Sequence, residues 1–292
     1  MMVRLVVFAS TENYPKHFLF DLESGYVLSP LLFNAVIDVV MKKALVNQRG
    51  VLFGDGQRTT DLTFADDVAV FANNEEELTQ MLREIATTAY PYGLIINAKK
   101  TKVLTSDGTP DAVFLDNKQL EHANSFKYLS SLIQGKIVAS ALDVQNRIGV
   151  ATAAFESLSW CLWRKPNVST QIKMRIYRVL VLPILLYGSE VWTLLQRDEL
   201  RLETFQMKCL RRILGVTLRD RLRNEFVRKN CDEQSTIAQQ IRKGRLRWFG
   251  HVCRMDPTRI PYRVLWRKRL SSWKCLRTAP KKTWLKKLRT IF

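Results

Sequence analysis

Leu62-Thr63-Phe64-Ala65-Asp66-Asp67-Val68-Ala69-Val70-Phe71 is the stretch on which the reading of this chain turns. Two short apolar runs flank a pair of adjacent carboxylates, the pattern of a β-hairpin with Asp66 and Asp67 at or beside its turn. Side chains alternate along a strand, so Leu62 and Phe64 face one way while Thr63 and Ala65 face the other. Such a hairpin can lie on a packed sheet and still hold two acidic groups at its solvent-facing tip. Adjacent negative charges repel, and a cation at the tip explains their pairing most simply. Hard oxygen ligands with open positions suit magnesium, the ion of two-metal phosphoryl and nucleotidyl transfer, with manganese as a substitute. The alternative is an ordinary hairpin whose turn happens to be Asp-Asp, since aspartate is common in turns.

The flanking sequence supplies layers for such a hairpin to rest on. Upstream, in Gly25-Tyr26-Val27-Leu28-Ser29-Pro30-Leu31-Leu32-Phe33, Ser29 is placed to cap a helix and Pro30 suits its first turn. That helix carries a stripe at Leu32, Val36, Val40 and Ala44 and is expected to end near Lys42-Lys43, whose charge suits a helix C-terminus. Downstream, a second helix is expected from Asn74, with Glu77 three residues on, a stripe at Leu78, Leu82, Ile85 and Ala89, and Pro91 and Gly93 as its stop. Gly93–Leu104 then reads as a strand-like run broken by the basic patch Lys99-Lys100. Hairpin, helix and strand together predict an α+β layer with helices behind a small antiparallel sheet.

Charge divides the chain in two. The 292 residues carry a net charge of +19. Residues 1–150 have a net charge of −3, whereas residues 151–292 have +22. A split this sharp points to an electrostatic surface for nucleic acid or an acidic membrane, set beside a neutral half. The membrane is disfavoured: the apolar run Val179–Tyr187 is interrupted by Pro183 and is far shorter than a bilayer span. The opening Met1–Ala9 is too short an apolar run for a signal peptide. The five cysteines include four spaced 22 residues apart, at 209, 231, 253 and 275, but no pair has the close spacing of a zinc site. They read as reduced thiols of an intracellular protein, nuclear or cytoplasmic, and His251 with Cys253 lacks a near partner for metal.

Four motifs occur in order: Gly25-x-Val27-Leu28-Ser29-Pro30-Leu31-Leu32-Phe33-Asn34, Leu62-x-Phe64-Ala65-Asp66-Asp67, Gly93-Leu94-x-Ile96-Asn97-x-x-Lys100-Thr101 and Phe126-Lys127-Tyr128-Leu129. Together they closely resemble the reverse transcriptases of non-LTR (LINE-type) retrotransposons. Leu186–Trp192, Leu210–Gly215, Arg247–Met255 and Lys281–Trp284 resemble the C-terminal region of the same proteins, so the likeness extends over about residues 25–285. The resemblance implies a polymerase palm in which Asp66 and Asp67 hold catalytic metal. It implies that Gly25, Leu28, Ser29, Pro30, Phe64 and Ala65 lie beside nucleotide and template, and that Lys100 lies near the triphosphate. Phe126, Lys127, Tyr128 and Leu129 would form the primer grip. The expected divisions are a divergent segment at 1–24, a partial palm at 25–135, all-α thumb and connection helices at 136–215, and a basic C-terminal region at 216–292. The implied partners are an RNA template, a DNA primer and a dNTP.

Departures from the family bear on activity. The family has a third carboxylate on an earlier palm strand; of the acids before Gly25, Glu12, Asp21 and Glu23, none has the surrounding pattern. The chain is therefore expected to lack the first catalytic strand, the fingers and an endonuclease, and Glu23-Ser24 replaces the usual basic-Gln pair ahead of Gly25. One carboxylate about 4 Å from a unit charge is worth roughly 4 kcal/mol at an effective dielectric near 20, and a divalent ion doubles this. Losing one of three ligands weakens metal binding on the order of a hundredfold or more, which predicts a chain that does not polymerise DNA by itself.

In the basic half, Leu202, Phe205, Cys209 and Ile213 fall on one helical face, and Arg201, Lys208 and Arg212 on another. Such a helix packs inward and offers a row of cations to phosphates. Further on, Arg245, Arg247 and neighbouring cations are interleaved with Trp248 and other aromatics, a composition suited to single strands or duplex ends through phosphate neutralisation and stacking. Any one tryptophan here is equally at home in a core.

Overall fold

The computed structural model describes residues 4–9, 28–45, 49–52, 57–106, 108–109, 112–116, 118–134, 140–232, 234–266 and 284–289. The chain divides into two compact units, one holding residues 1–138 with 266–273 and the other residues 139–265 with 274–292.

The first unit is α+β. Its elements run β1 (Arg4–Ala9), α1 (Ser29–Ala44), β2 (Val51–Leu52), β3 (Arg58–Thr59), β4 (Asp61–Phe64), β5 (Asp67–Ala72), α2 (Glu75–Ala89), β6 (Lys102–Thr105), β7 (Phe114–Leu115), β8 (Lys118–Gln119), β9 (Glu121–His122), β10 (Ser125–Tyr128) and β11 (Ser131–Gln134). Five strands form one sheet in the order β4-β5-β1-β6-β9, antiparallel except for the parallel β6–β9 edge. Strand β5 is buried on both faces along Val68–Val70. Val68, Val70 and Ala72 point into a core completed by Leu78, Met81, Leu82 and Ile85 of α2 and by Ile37, Val40 and Met41 of α1. Leu78, Met81 and Leu82 are fully buried, and each contributes about 1.5–3 kcal/mol through burial.

Helix α2 begins as its sequence predicts: the Asn74 side chain accepts from the Glu77 N–H, and three acids sit in the first turn. Its last turn tightens into a 3-10 turn over Tyr90–Tyr92 and stops at Gly93, whose φ is +72°. Glu77 also clamps the β2–β3 ribbon, accepting from the Gly50 and Asn73 N–H groups. Burial pushes the Glu77 carboxyl up, but these donors outweigh it and hold the group below its ordinary value. Gly50 has φ +89°, and a Cβ there would lie 2.5 Å from the Thr59 carbonyl oxygen; only glycine allows this approach.

Several expectations need correction. Helix α1 is capped at Leu28, not Ser29, and no side chain caps it; Ser29 is already helical, with Pro30 in the first turn. Its buried stripe is Ile37, Val40, Met41 and Ala44, with Phe33 and Val36 packed against them, so the inward face is rotated away from Leu32. The run after Gly93 does not form one broken strand. Asn97 closes a turn over Lys99 and Lys100 through its side-chain and main-chain oxygens, and the strand starts only at Lys102. Most consequentially, the region before Gly25 does provide a strand. Strand β1 sits at the centre of the sheet, paired to β5 from Arg4↔Ala72 to Ala9↔Asp67 and to β6 on its other side.

The second unit is helical throughout its described residues: α3 (Ala141–Ser157), α4 (Thr170–Ile176), α5 (Leu182–Leu186), α6 (Gln196–Leu214), α7 (Asn224–Lys229), α8 (Ile237–Cys253), α9 (Ile260–Trp266) and α10 (Trp284–Arg289). A single core joins Val144 and Phe155 of α3, Leu185 of α5, Leu202, Phe205 and Leu210 of α6, Val227 of α7 and Ile237 and Ile241 of α8. The expected division at 215 falls inside that core. Pro183 does not interrupt its helix, because the preceding turn Tyr177–Val181 is π-helical and the proline occupies the first turn of α5. Burial pushes the Cys209 thiol up to about 12 and the Cys231 thiol to about 11, which leaves both protonated and unreactive at neutral pH. Cys161 and Cys253 are exposed and free; Cys275 lies outside the described residues. No helix among the described residues is long and apolar enough to cross a membrane.

The Leu186–Trp192 motif ties this unit together. The Trp192 indole donates to Asp143 at 2.8 Å, Arg147 lies 3.9 Å from the same carboxylate and 4.4 Å from the centre of the Tyr187 ring, and Arg245 of α8 donates to the Trp192 carbonyl at 2.9 Å. Trp284 of α10 donates to the Glu190 carbonyl at 2.7 Å. Asp143 is 5% exposed, so removing its carboxylate takes the acceptor from the Trp192 indole N–H and a counter-charge from a buried guanidinium. Asp143→Ala is expected to lower the unfolding free energy by about 2–4 kcal/mol, and Asp143→Asn, which keeps an acceptor for Trp192, by less than half of that. Chemical denaturation of the three proteins, followed by tryptophan fluorescence, checks the order.

Candidate functional site

Strands β4 and β5 form a hairpin in the register Phe64↔Asp67, Thr63↔Val68, Leu62↔Ala69 and Asp61↔Val70, leaving Ala65 and Asp66 as a two-residue turn. The sequence-expected hairpin is therefore present, with Asp66 in the turn and Asp67 the first residue of the returning strand. Ala65 has φ +51°, while Asp66 keeps an ordinary negative φ. The first turn position thus demands a left-handed backbone where glycine is the usual choice. An alanine there costs on the order of 1 kcal/mol. Phe64 is 60% exposed. Asp66 is exposed and Asp67 half-buried. Burial, and then the neighbouring Asp66 charge, hold the Asp67 carboxyl above its ordinary value of 3.8.

Strand β1 flanks β5 on the side away from β4. The register position opposite Asp67 is Ala9, and none of the six residues Arg4–Ala9 is acidic. Among the described residues no group of three His, Cys, Asp or Glu side chains is arranged to hold a metal ion. The donor set at the tip is two adjacent carboxylates whose repulsion a divalent cation would relieve, which fits a metal held by two protein ligands rather than three.

The Phe126–Leu129 segment lies in a second hairpin. β10 and β11 pair from Ser125↔Gln134 to Tyr128↔Ser131, and the turn residues Leu129 and Ser130 have φ +45° and +64°. Both are left-handed, the geometry for which Asn-Gly is the ordinary sequence, so this turn too is formed by residues that pay a conformational cost. The Tyr128 hydroxyl donates to the Leu62 carbonyl of β4 at 3.4 Å. Burial, followed by the charges of Asp67 and Asp61, pushes that phenol above its ordinary value, which keeps it a donor. Sequence reasoning assigned Tyr128 a place in the hairpin but not this bridge between the two hairpins. Phe126 is half-buried and Lys127 exposed.

The remaining candidates separate. Leu28 is 60% exposed at the start of α1, and the Ser29 hydroxyl is enclosed without a hydrogen-bond partner among the described residues. Lys100 is exposed in the Asn97 turn. Gly25 lies outside the described residues. In the helical unit, Arg201 and Lys208 are exposed on α6, with Lys208 3.7 Å and Arg212 3.9 Å from the Glu156 carboxylate. Arg247 is exposed and Trp248 half-buried, its ring centre 5.6 Å from that of His251. Arg245 is a correction: it is 5% exposed and bonded to the Trp192 carbonyl, so it fastens α8 in place and offers nothing to a phosphate. Composition groups Arg245 with Arg247, but two residues apart on a helix they point to different faces, one buried and one exposed.

Asp67 gives a pH signature with a definite sign. Its raised pKa means that the folded state holds the proton longer than the unfolded chain, so this group's contribution to stability falls as pH rises from below 3.8 through the raised value. Asp67→Asn removes that loss. At pH 7 and without divalent ions the variant is expected to be more stable, by no more than about 0.5 kcal/mol because the tip is solvent-screened, and the difference should vanish near pH 3. Thermal melts at both pH values measure it.

Residues 6–133 match the family model for reverse transcriptase (RNA-dependent DNA polymerase), a span that begins in β1 and ends in β11. A transposon-derived protein of Caenorhabditis elegans is 27% identical over 228 residues, covering 75% of this chain and 78% of that protein. The RNA-directed DNA polymerase from the mobile element jockey of Drosophila melanogaster is 27% identical over 232 residues, covering 74% of this chain and 24% of the polymerase. The Pol polyprotein of the type-1 retrotransposable element R2 of Nasonia vitripennis is 31% identical over 140 residues, 44% of this chain and 13% of the polyprotein. The chain thus spans most of the first relative but a quarter or less of these polymerases. Residues 6–133 form a reverse transcriptase-like domain of the non-LTR retrotransposon kind.

Proposed function

We propose that this chain is a nucleic-acid-binding protein of reverse transcriptase descent whose palm-like unit has an incomplete carboxylate set and does not extend primers by itself. The observation that carries the reading is the register of β1: a strand stands beside Asp67, and Ala9, not an acid, occupies the position opposite it. In this reading Asp66 and Asp67 hold one Mg2+, or Mn2+ in its place, weakly. When bound, the ion supplies charge neutralisation for phosphate oxygens. Phe64 and Ala65 bring an exposed ring and main chain beside the tip, where a base or sugar would pack. Leu28, Ser29 and Pro30 at the start of α1, and Lys100 in its turn, face nucleotide and template. Phe126–Leu129 position a primer end through the Tyr128 bridge to β4. Arg201, Lys208, Arg212 and Arg247 neutralise phosphates along the helical unit.

A chain with two carboxylates instead of three loses both metal affinity and the ligand that orients the attacking oxygen. A second reading, an active RNA-directed DNA polymerase, draws support from the Asp66-Asp67 tip itself and requires an acid from residues 10–27 to reach it.

A primer-extension assay decides between them, using a homopolymeric RNA template with a DNA primer in Mg2+ or Mn2+. The proposal expects no extension above background by the chain or by Asp66→Ala, with both binding RNA equally. Extension that Asp66→Ala abolishes would establish the active polymerase instead.

A further inference from the structure

We infer that the groove between α3 and α6, together with the exposed Trp160–Arg164 pair just beyond the end of α3, is a site for single-stranded nucleic acid; this rests on the nucleic-acid-binding reading above and specifies the form bound. The groove has a volume of about 530 Å³, with Ile148, Leu200 and Phe205 as its apolar residues, Gln145 and Thr152 from α3, and Arg201, Thr204 and Lys208 from α6. Residues 145, 148, 152 and 156 of α3, and 201, 205, 208 and 212 of α6, recur every three or four positions, so each helix keeps one continuous face on the groove.

At its far end Glu156 sits between Lys208, at 3.7 Å, and Arg212, at 3.9 Å, and accepts from the Ser159 hydroxyl at 3.3 Å. Lys208 is 64% exposed and the other two about 40%. Ion pairs this open contribute at most about 1 kcal/mol, so a phosphate competes for both cations.

Beyond Glu156 the helix widens into the π-helical turn Ser159–Trp163, which sends two tryptophans in different directions. Trp163 is buried, stacked on Phe155 at 4.6 Å and bonded through its indole to the Phe155 carbonyl. Trp160 is 74% exposed, and the Arg164 guanidinium lies 4.2 Å from the centre of its ring. The cost of leaving a large indole in water, already aligned with a guanidinium, is recovered if a flat partner stacks there. Unpaired bases offer that face, whereas the bases of a duplex are already stacked on one another. An acidic peptide would satisfy the cations but gains nothing specific from the Trp–Arg stack.

Fluorescence anisotropy on the full chain tests this, with labelled oligo-dT, oligo-U and a duplex of about 15 nucleotides each, between roughly 50 and 300 mM KCl. Trp160→Ala is expected to weaken binding of both single strands about tenfold and Trp160→Phe less than threefold, with duplex binding within about twofold and thermal melting unchanged. Arg201→Ala combined with Lys208→Ala should lower the slope of log affinity against log salt by about 1.4 for single strands. Single-strand binding indifferent to Trp160→Ala, duplex binding weakened in equal proportion, or displacement of oligo-dT by poly-glutamate at equal charge would overturn the site while leaving nucleic-acid binding intact. Absence of binding to any of the three probes would overturn both readings.

Discussion

Two like charges on adjacent residues are tolerable only where something holds their main chain and something relieves their repulsion. In this chain the first requirement is met by β-pairing. The β4–β5 ladder and the burial of Val68, Val70 and Ala72 against α1 and α2 hold the Asp66-Asp67 tip in register, because a slip by one residue would take the valines out of that core. The second requirement is not met by the described protein groups. Asp67 stays above its ordinary pKa, and no other side chain among the described residues completes a metal site with the pair. The hairpin is thus stable as a fold and unsatisfied as an electrostatic arrangement.

The same trade recurs at the turns. Ala65, Leu129 and Ser130 all adopt left-handed backbone angles without being glycine or asparagine, and all three belong to the hairpins joined by Tyr128. Strain at turns is the kind of cost that a packed sheet can absorb and that site geometry commonly carries. In the helical unit the burden falls instead on a few buried polar anchors. Asp143, Trp192 and Arg245 fix α3 and α8 to the Leu186–Trp192 segment, and with the interior so fastened the outward face of α6 keeps its cations near the surface.

How much of this could be read from residues alone depended on whether the signal was local. Helix α2, with its Asn74 cap and Leu78–Ala89 stripe, was fully legible because cap, charge and periodicity agree. So was the Asp66-Asp67 turn, where alternating apolar residues on both sides leave one register. Strand β1 was missed: after Arg4 the strand is the uniformly apolar run Leu5–Ala9, as a central strand paired on both edges tends to be, and such a run carries no periodicity. Its partners lie far along the chain, from Ala9↔Asp67 to Arg4↔Thr105, beyond the reach of any local pattern. Arg245 was misassigned for a related reason, since a basic residue in a basic stretch looks solvated until a distant carbonyl claims it. The positive-φ turns gave no warning because neither Ala65-Asp66 nor Leu129-Ser130 contains the residues that usually mark such turns.

The account depends on the Asp66-Asp67 tip having two carboxylate ligands and no third. Titration of the full chain with Mn2+, followed by the loss of the free-ion electron paramagnetic resonance signal, addresses this without requiring any reaction. A single weak site is predicted, with a dissociation constant on the order of millimolar, lost in Asp66→Ala. Binding about a hundredfold tighter that still depends on Asp66 would show that a third acid completes the site, and would contradict the account.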